Sequence, residues 1–399
     1  MNKKNLVQKI FFGLVDFAKD SLRVIIKSYM FVCYKVFGLS NSVVFSSFRG
    51  MSYSDNPRAI SEKLHEIHPE MQIYWIFSNV AEKRTIVPSY IKRLRNISFK
   101  SLKIQATSKF WVDNSKKPSY IYKNKDQIYI QTWHGDKAFK KVLYDNPYYP
   151  IELNLLEETK ANLILSGSKY GENQIRSAFR YKGEILKVGC PRNDALLAIN
   201  SEKQIKIKKI NNLPLNANIL LFAPTFRDTS NRENNYQDSD INLKEILSVL
   251  SSVTSQKWIG IIRAHYFTDG IANIIPNNNL IFDGNKLEDM KDLLLITDIL
   301  ITDYSSTAGD FALTKKPVIL YQPDIEEYIK NDRTLYFDIK DSPYITAQTN
   351  NQLIDIFKSI DFKNMKKNSE EILKFYGSYE TGKASEAVVN YITNNLKSL

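Results

Sequence analysis

The sequence predicts an α/β protein made of two doubly wound halves, and three observations carry that expectation. Short apolar runs of strand length alternate with helical stretches from about residue 43 onward. The alternation is interrupted by the basic, low-complexity run Lys203 to Lys209 and the Asn-rich Asn211 to Asn218, and then restarts. Polar turns follow the strands, which is where open α/β sheets hold their ligands. A chain of 399 residues has ample length for two cores.

Residues from about Lys3 to Leu39 read as one or two helices in which seven basic side chains oppose only Asp16 and Asp20. Leu6, Ile10, Phe11, Leu14 and Phe17 recur at near-helical spacing, so this segment (1–40) suits the headgroup region of an anionic membrane; the alternative is a helix packed on the domain with solvated lysines. Val43 to Ser46 is the first strand, and the polar loop Ser47 to Pro57 leads into a helix carrying Ile60, Leu64 and Ile67. Ile73–Phe77, Trp111–Asn114 and Ile128–Trp133 are further strands. His134 follows the last of these, where it could take a proton from an attacking hydroxyl or simply bond a loop carbonyl. Gly135 beside it permits close approach or an unusual backbone angle. Leu163–Ser166 and Ile185–Val188 are strands around a helix at about Tyr170–Tyr181, and the second leads into the loop Gly189-Cys-Pro-Arg-Asn-Asp194.

The second half repeats the pattern. Ile219–Ala223 ends at Thr225-Phe-Arg227, Trp258–Ile262 ends at Arg263-Ala-His265, and Leu280–Phe282 follows. Ile299-Leu-Ile301 opens a strand–turn–helix–strand unit through Thr302-Asp-Tyr-Ser-Ser306, a helix at about Thr307–Leu313, and Val318–Tyr321. A helix start offers unpaired N–H groups to an anion, although Ser305 or Ser306 could merely cap it. Arg227, Arg263, His265, Ser305 and Ser306 all follow strands of one sheet, so a shared cationic pocket is predicted; solvated or carboxylate-paired arginines are the alternative. Asp228–Asp240 reads as a polar insertion, and helices at about Leu353–Ile360 and Lys383–Leu396 close the chain.

The net charge of +12 points to an anionic partner. No nucleic-acid motif is present, and the excess charge is strongest at the N-terminus, so nucleic acid is not expected. Cys33 and Cys190 have no metal or redox spacing, and His65 and His68 read as surface residues. No secretory signal is convincing, and no uncharged apolar run approaches the roughly 20 residues a spanning helix needs. Walker, zinc and Gly-x-Ser-x-Gly patterns are absent. No cofactor is firmly expected; a divalent cation stays open, without a dedicated cage.

Six segments, in order over about residues 43 to 325, resemble the CDP-glycerol glycerophosphotransferase family of teichoic acid and capsule enzymes. They are Gly50 with Tyr53–Pro57, Thr132–Gly135, Gly189–Asp194, Ala223–Arg227, Arg263–His265, and Thr302–Ser306 with Asp310. The resemblance implies a GT-B-like fold: two Rossmann-like domains facing a cleft, an acceptor-side domain (41–205) and a CDP-donor domain (206–375), then a C-terminal helix (376–399). The implied reaction moves a polyol phosphate from a CDP-polyol to a hydroxyl of a lipid-linked polymer or disaccharide acceptor and releases CMP. By the same resemblance His134 and His265 are the catalytic histidines, and Arg227, Arg263, Ser305, Ser306 and Asp303 bind the donor phosphates. Gly135, Lys140, Thr225, Asp310, Asn193 and Asp194 are secondary candidates. A peripheral place on the cytoplasmic membrane face follows from the acceptor.

Where many polymerases carry Thr-Pro after Trp-His-Gly, this chain has Asp136-Lys137, and its Ala138-Phe139-Lys140 looks more like members acting on ribitol phosphate or related capsule donors. The match begins near residue 43, so the family's auxiliary N-terminal domain is expected to be missing. The competing reading is a GT-B glycosyltransferase using a nucleotide sugar; a non-catalytic anion-binding protein ranks behind it.

Overall fold

The computed structural model describes residues 3–147, 160–225, 241–263, 279–331 and 334–396, with side chains from residue 19 onward. Two compact units result. One comprises Met1–Trp133, Glu152–Ile164 and Val388–Leu399; the other comprises His134–Ile151 and Leu165–Ala387.

The first seven strands are β1 (Ser40–Ser46), β2 (Gln72–Phe77), β3 (Ile91–Arg95), β4 (Ser108–Asp113), β5 (Ile128–Gln131), β6 (Leu163–Ser166) and β7 (Glu184–Lys187). They form one sheet in the order β3-β2-β1-β4-β5-β6-β7. β1 pairs parallel with β2 and β4, β2 with β3, and β4 with β5. The helices α1 (Lys3–Phe37), α2 (Asp55–Ile67), α3 (Ala81–Arg84) and α4 (Phe99–Thr107) belong to the first unit. The N-terminal segment is thus a single helix. It buries Ile26, Met30 and Cys33 against a core that includes Val44, Ile76 and Trp111. Its Leu22, Val24, Ile25, Val32 and Val36 are exposed. No helix among the described residues is long and apolar enough to cross a membrane.

The second sheet runs β10-β9-β8-β11-β12-β13. Its strands are β8 (Asn218–Ala223), β9 (Trp258–Ile262), β10 (Ile281–Asp283), β11 (Ile299–Thr302), β12 (Val318–Tyr321) and β13 (Ile345–Ala347). Every pairing is parallel. The second unit also holds α5 (Lys169–Ala178), α6 (Asp194–Leu197), α7 (Ser201–Ile210), α8 (Leu243–Thr254), α9 (Met290–Ile296) and α10 (Thr307–Phe311). α11 (Ile325–Asn331), α12 (Asn350–Lys358), α13 (Phe362–Tyr376) and α14 (Ala384–Asn394) complete the order.

The strands of this sheet are apolar on both faces because both are covered. Ile219, Leu221, Leu300 and Leu320 pack with Phe139, Phe311 and Ile372 on one side. Leu220, Phe222, Ile301 and Ile319 pack with Leu247, Trp258 and Leu353 on the other. Side chains alternating along each strand thus feed two cores.

Candidate active site

The adjacent strands β9, β8 and β11 end in register: Phe222 aligns with Ile262, and Ala223 with Thr302. Their following residues are therefore neighbours, as the sequence predicted for this sheet. Thr302 Oγ1 donates to the Ala223 carbonyl (2.6 Å). Asp303 is buried, and its carboxylate accepts from the backbone N–H of Thr225 (2.9 and 3.0 Å) and of Tyr304 (2.6 Å). Asp303 and Thr225 thus lock two strand ends together. Tyr304 stacks on Tyr328 with centroids 3.8 Å apart and donates to Asp324, which fixes the turn from behind.

Ser305 and Ser306 stand half-buried at the start of α10. Ser305 Oγ donates to Thr307 Oγ1 (3.0 Å) and accepts from the Thr307 N–H (3.3 Å). Ser306 sits at the N-cap in helical conformation, and its hydroxyl makes no capping bond. The capping alternative therefore fits Ser305 and not Ser306.

Arg263 follows β9, with its N–H on the Phe222 carbonyl (2.9 Å). Its Nη1 donates to the Gly284 carbonyl (3.0 Å) and to the Leu287 carbonyl, so the guanidinium braces the loop after β10. That is a partner neither sequence alternative named. Arg227 and His265 lie outside the described residues, as does the insertion Asp228–Asp240.

His134 is half-buried, three residues past the end of β5, and its carbonyl accepts from Arg192 Nη1 (3.0 Å). Of the two uses open to Gly135, close approach or an unusual backbone angle, the angle is found instead at Trp133, with φ 52°. Within the first unit, Asn56 Nδ2 donates to the Trp133 carbonyl (3.0 Å) and the Trp133 N–H donates to Gln131 Oε1 (2.9 Å). Two side chains thus hold Trp133 in a conformation that a bulky residue seldom adopts. Asn56 belongs to the buried run Ser54–Pro57, whose Asp55 has φ 64° and accepts from Asn114. At Gly50, with φ 89°, a Cβ would stand 2.8 Å from the Ser78 nitrogen, so only glycine fits.

A buried ionic cluster follows the His134 turn. Lys137 is fully buried, with Nζ at 3.1 Å from Glu380, 3.2 Å from Asp310 and 3.8 Å from Asp136. Burial opposes the ammonium charge, but Glu380 and Asp310 hold its pKa well above the ordinary value. Burial would also raise Asp310, yet Arg192 and Lys137 bring it down to about 2. Glu380 is raised, by burial first and by Asp310 among the other causes. Asp136 accepts from Ser166 Oγ, the Gly167 N–H and Ser168 Oγ (3.0, 2.8 and 2.7 Å). Asn193 Nδ2 bridges Asp310 and Glu380 (2.9 and 2.8 Å). Asp194 accepts from the Ala384 and Ser385 N–H groups, capping the start of α14. Lys140 lies over the Tyr328 ring at 5.3 Å, on the aromatic pair that backs the Asp303–Ser306 turn.

Lys137, Glu380 and Arg192 received no role from the sequence. A lysine or glutamate read alone is taken for surface, and these partners lie 118 to 243 residues apart in sequence. Both cysteines are buried and free, His65 stacks on Tyr90, and no metal-holding group occurs among the described residues.

The family model for CDP-Glycerol:Poly(glycerophosphate) glycerophosphotransferase matches residues 28–394. The teichoic acid poly(glycerol phosphate) polymerase of Bacillus spizizenii is 34% identical over 379 residues, covering 90% of this chain and 94% of that protein. The Bacillus subtilis enzyme of the same name is 33% identical; the match covers 88% of this chain and only 48% of that protein. The teichoic acid glycerol-phosphate transferase of Staphylococcus aureus is 29% identical, with 94% and 99% covered. Among solved structures, the wall teichoic acid polymerase TagF superposes with a TM-score of 0.82 at 26% identity, covering 100% of this chain and 99% of that one. Two parallel α/β sheets, this GT-B-like neighbour and a family match across nearly the whole chain agree. The chain belongs to the CDP-glycerol:poly(glycerophosphate) glycerophosphotransferase family, and is a polyol-phosphate transferase of teichoic acid synthesis.

Proposed function

We propose that the chain transfers glycerol phosphate from CDP-glycerol to a hydroxyl of a lipid-linked teichoic acid acceptor, with His134 as the general base. An alcohol is a weak nucleophile until its proton has a destination, and a histidine just beyond a strand end is suited to receive it. The acceptor oxygen forms a bond to the β-phosphorus of the donor. The bond from that phosphorus to the CMP oxygen breaks, and CMP carries the electron pair away. Ser305, Ser306, Arg227 and His265 take up the charge that develops on the phosphates. The observation that carries the donor site is Ser306, whose hydroxyl makes no capping bond although it stands at a helix start. Asp303 and Thr225 hold that turn, and Arg263 braces the loop after β10.

Glycerol is favoured over ribitol on two grounds. Poly(glycerol phosphate) polymerases match at up to 34% identity, whereas ribitol-phosphate enzymes match at 25 to 27%. The ending Ala138-Phe139-Lys140, which resembles ribitol-type members, is engaged in structure: Phe139 is buried and Lys140 lies over the Tyr328 ring. The first unit is the acceptor side, where left-handed backbone at Phe48, Arg49 and Asp55 clusters beyond β1, and such strain gathers at functional loops. α1, with exposed Leu22, Val24, Ile25, Val32 and Val36 beside Arg23, Lys27 and Lys35, rests on the anionic membrane that carries the acceptor.

The test is CMP release from CDP-glycerol and from CDP-ribitol with acceptor-bearing membranes. Release from CDP-glycerol that drops by about 10²–10⁴-fold in His134→Ala supports the reading. Equal turnover of CDP-ribitol defeats the donor assignment, and unchanged release in His134→Ala defeats the base.

A further inference from the structure

In the second unit, two separate stretches of chain converge on one buried carboxylate carried by a third. Asp310 Oδ2 accepts from Arg192 Nη2 (2.7 Å) and Nε (3.1 Å), while Oδ1 accepts from Asn193 Nδ2 (2.9 Å) and Lys137 Nζ (3.2 Å). The remaining arm of the same guanidinium, Nη1, donates to the His134 carbonyl (3.0 Å). One planar cation therefore grips α10 on one edge and the backbone of the histidine turn on the other. α10 begins directly after Ser305 and Ser306, and Asp310 lies on it. The helix has no slack against the lysine stem either. A Cβ at Gly309 would stand 2.7 Å from Lys137 Cδ, so the backbone lies directly on that stem.

We propose that Arg192 is a positioning residue that sets the His134 turn at a fixed place relative to Ser305 and Ser306, acting on the chemical step through His134. The inference rests on the reading of His134 as the base. Fixing the carbonyl of a residue in a tight turn fixes its Cα–Cβ direction, and so the direction of the imidazole. The guanidinium is largely buried, with Nε and Nη2 on Asp310 and Nη1 on the His134 carbonyl. Lysine cannot replace it, because a single ammonium lacks the fork that reaches a carboxylate and a carbonyl at once.

The experiment is a double-mutant cycle of Arg192→Lys and His134→Ala in the full chain. It measures CMP release from CDP-glycerol with acceptor-bearing membranes, and CDP-glycerol binding. R192K is expected to lower kcat about 30-fold, to leave the CDP-glycerol Kd within about twofold, and to cost less than about twofold in the H134A background. An equal cost in both backgrounds, or a Kd weakened in step with kcat, overturns the proposal. Arg192→Gln, which can keep a bond to Asp310 and gives up the one to His134, goes through the same cycle in case R192K does not fold. Wild-type kcat in either folded variant also overturns it. Wild-type release in H134A alone removes the base and the positioning role together, and that outcome is recognised without any Arg192 variant.

Discussion

Replacing Lys137 by Met keeps the buried stem and removes the ammonium. The wild-type cluster sets two cations, Lys137 and Arg192, against three carboxylates, Asp136, Asp310 and Glu380. In K137M one cation faces three. Removing one partner from a buried ion pair costs about 3–5 kcal/mol, a large share of the roughly 5–15 kcal/mol that holds a domain folded. The deficit depends on pH, and its sign follows from which groups are shifted. Burial, with Asp310 among the further causes, already raises Glu380 above its ordinary 4.5, and loss of the ammonium raises it further. An acid raised in the folded state is stabilising below its unfolded pKa, and that contribution is lost as pH climbs through the folded value. Wild type is protected across this range, because the raised Lys137 pKa keeps its contribution in full until pH passes 10.5. K137M is therefore expected to lose little at pH 5 and about 3–5 kcal/mol at pH 8. Urea unfolding followed by tryptophan fluorescence at both values measures the difference. A loss below about 1 kcal/mol at pH 8, or the same loss at both values, refutes the reasoning, since a loss tied to charge has to titrate.

If the hydroxyl of Ser306, which makes no capping bond, meets the transferring phosphate as proposed, Ser306→Ala should lower kcat about 10²-fold with an unchanged melting temperature; CMP release and a thermal scan decide it. Asp310, held at about 2 against an ordinary 3.8, contributes about 2 kcal/mol that is present above about pH 4 and lost as pH falls towards 2. Acid titration of stability in Asp310→Asn should lack that segment, and a curve parallel to wild type counts against the pairing. Val24→Glu with Val32→Glu should weaken cosedimentation with anionic vesicles about tenfold or more, by placing charge on the exposed face of α1. Binding that survives the pair of changes would move the membrane contact elsewhere.

Most of the fold was legible because most of its strands are short apolar runs, and a parallel sheet covered on both faces requires such runs. β3, Ile91-Lys-Arg-Leu-Arg95, was not legible: it is an edge strand, and three of its five positions are basic. β13 is only three residues long, too short to carry a periodic signal. The placement of Ser305 and Ser306 after one strand of a sheet shared with Arg263 could be read locally. The cluster around Lys137 could not, because the carboxylates that neutralise that lysine include Asp310 and Glu380, 173 and 243 residues away. Asp136-Lys137 stood out in the sequence as a departure from the family pattern, and the structure assigns both side chains to the interior.

Glu380 has a consequence for how the molecule is made. Lys137 leaves the ribosome 243 residues before the carboxylate that stands closest to it. Until then the ammonium has only Asp136 and, once residue 310 is made, Asp310 beside it, so its set of carboxylates is incomplete and settling it into a dry interior carries a cost. The last turn of assembly therefore comes from the stretch after α13, when Tyr379 N–H reaches the Gly167 carbonyl and Glu380 drops beside Lys137. Synthesis that stalls before residue 380 leaves both sheets translated and the enzyme unfinished.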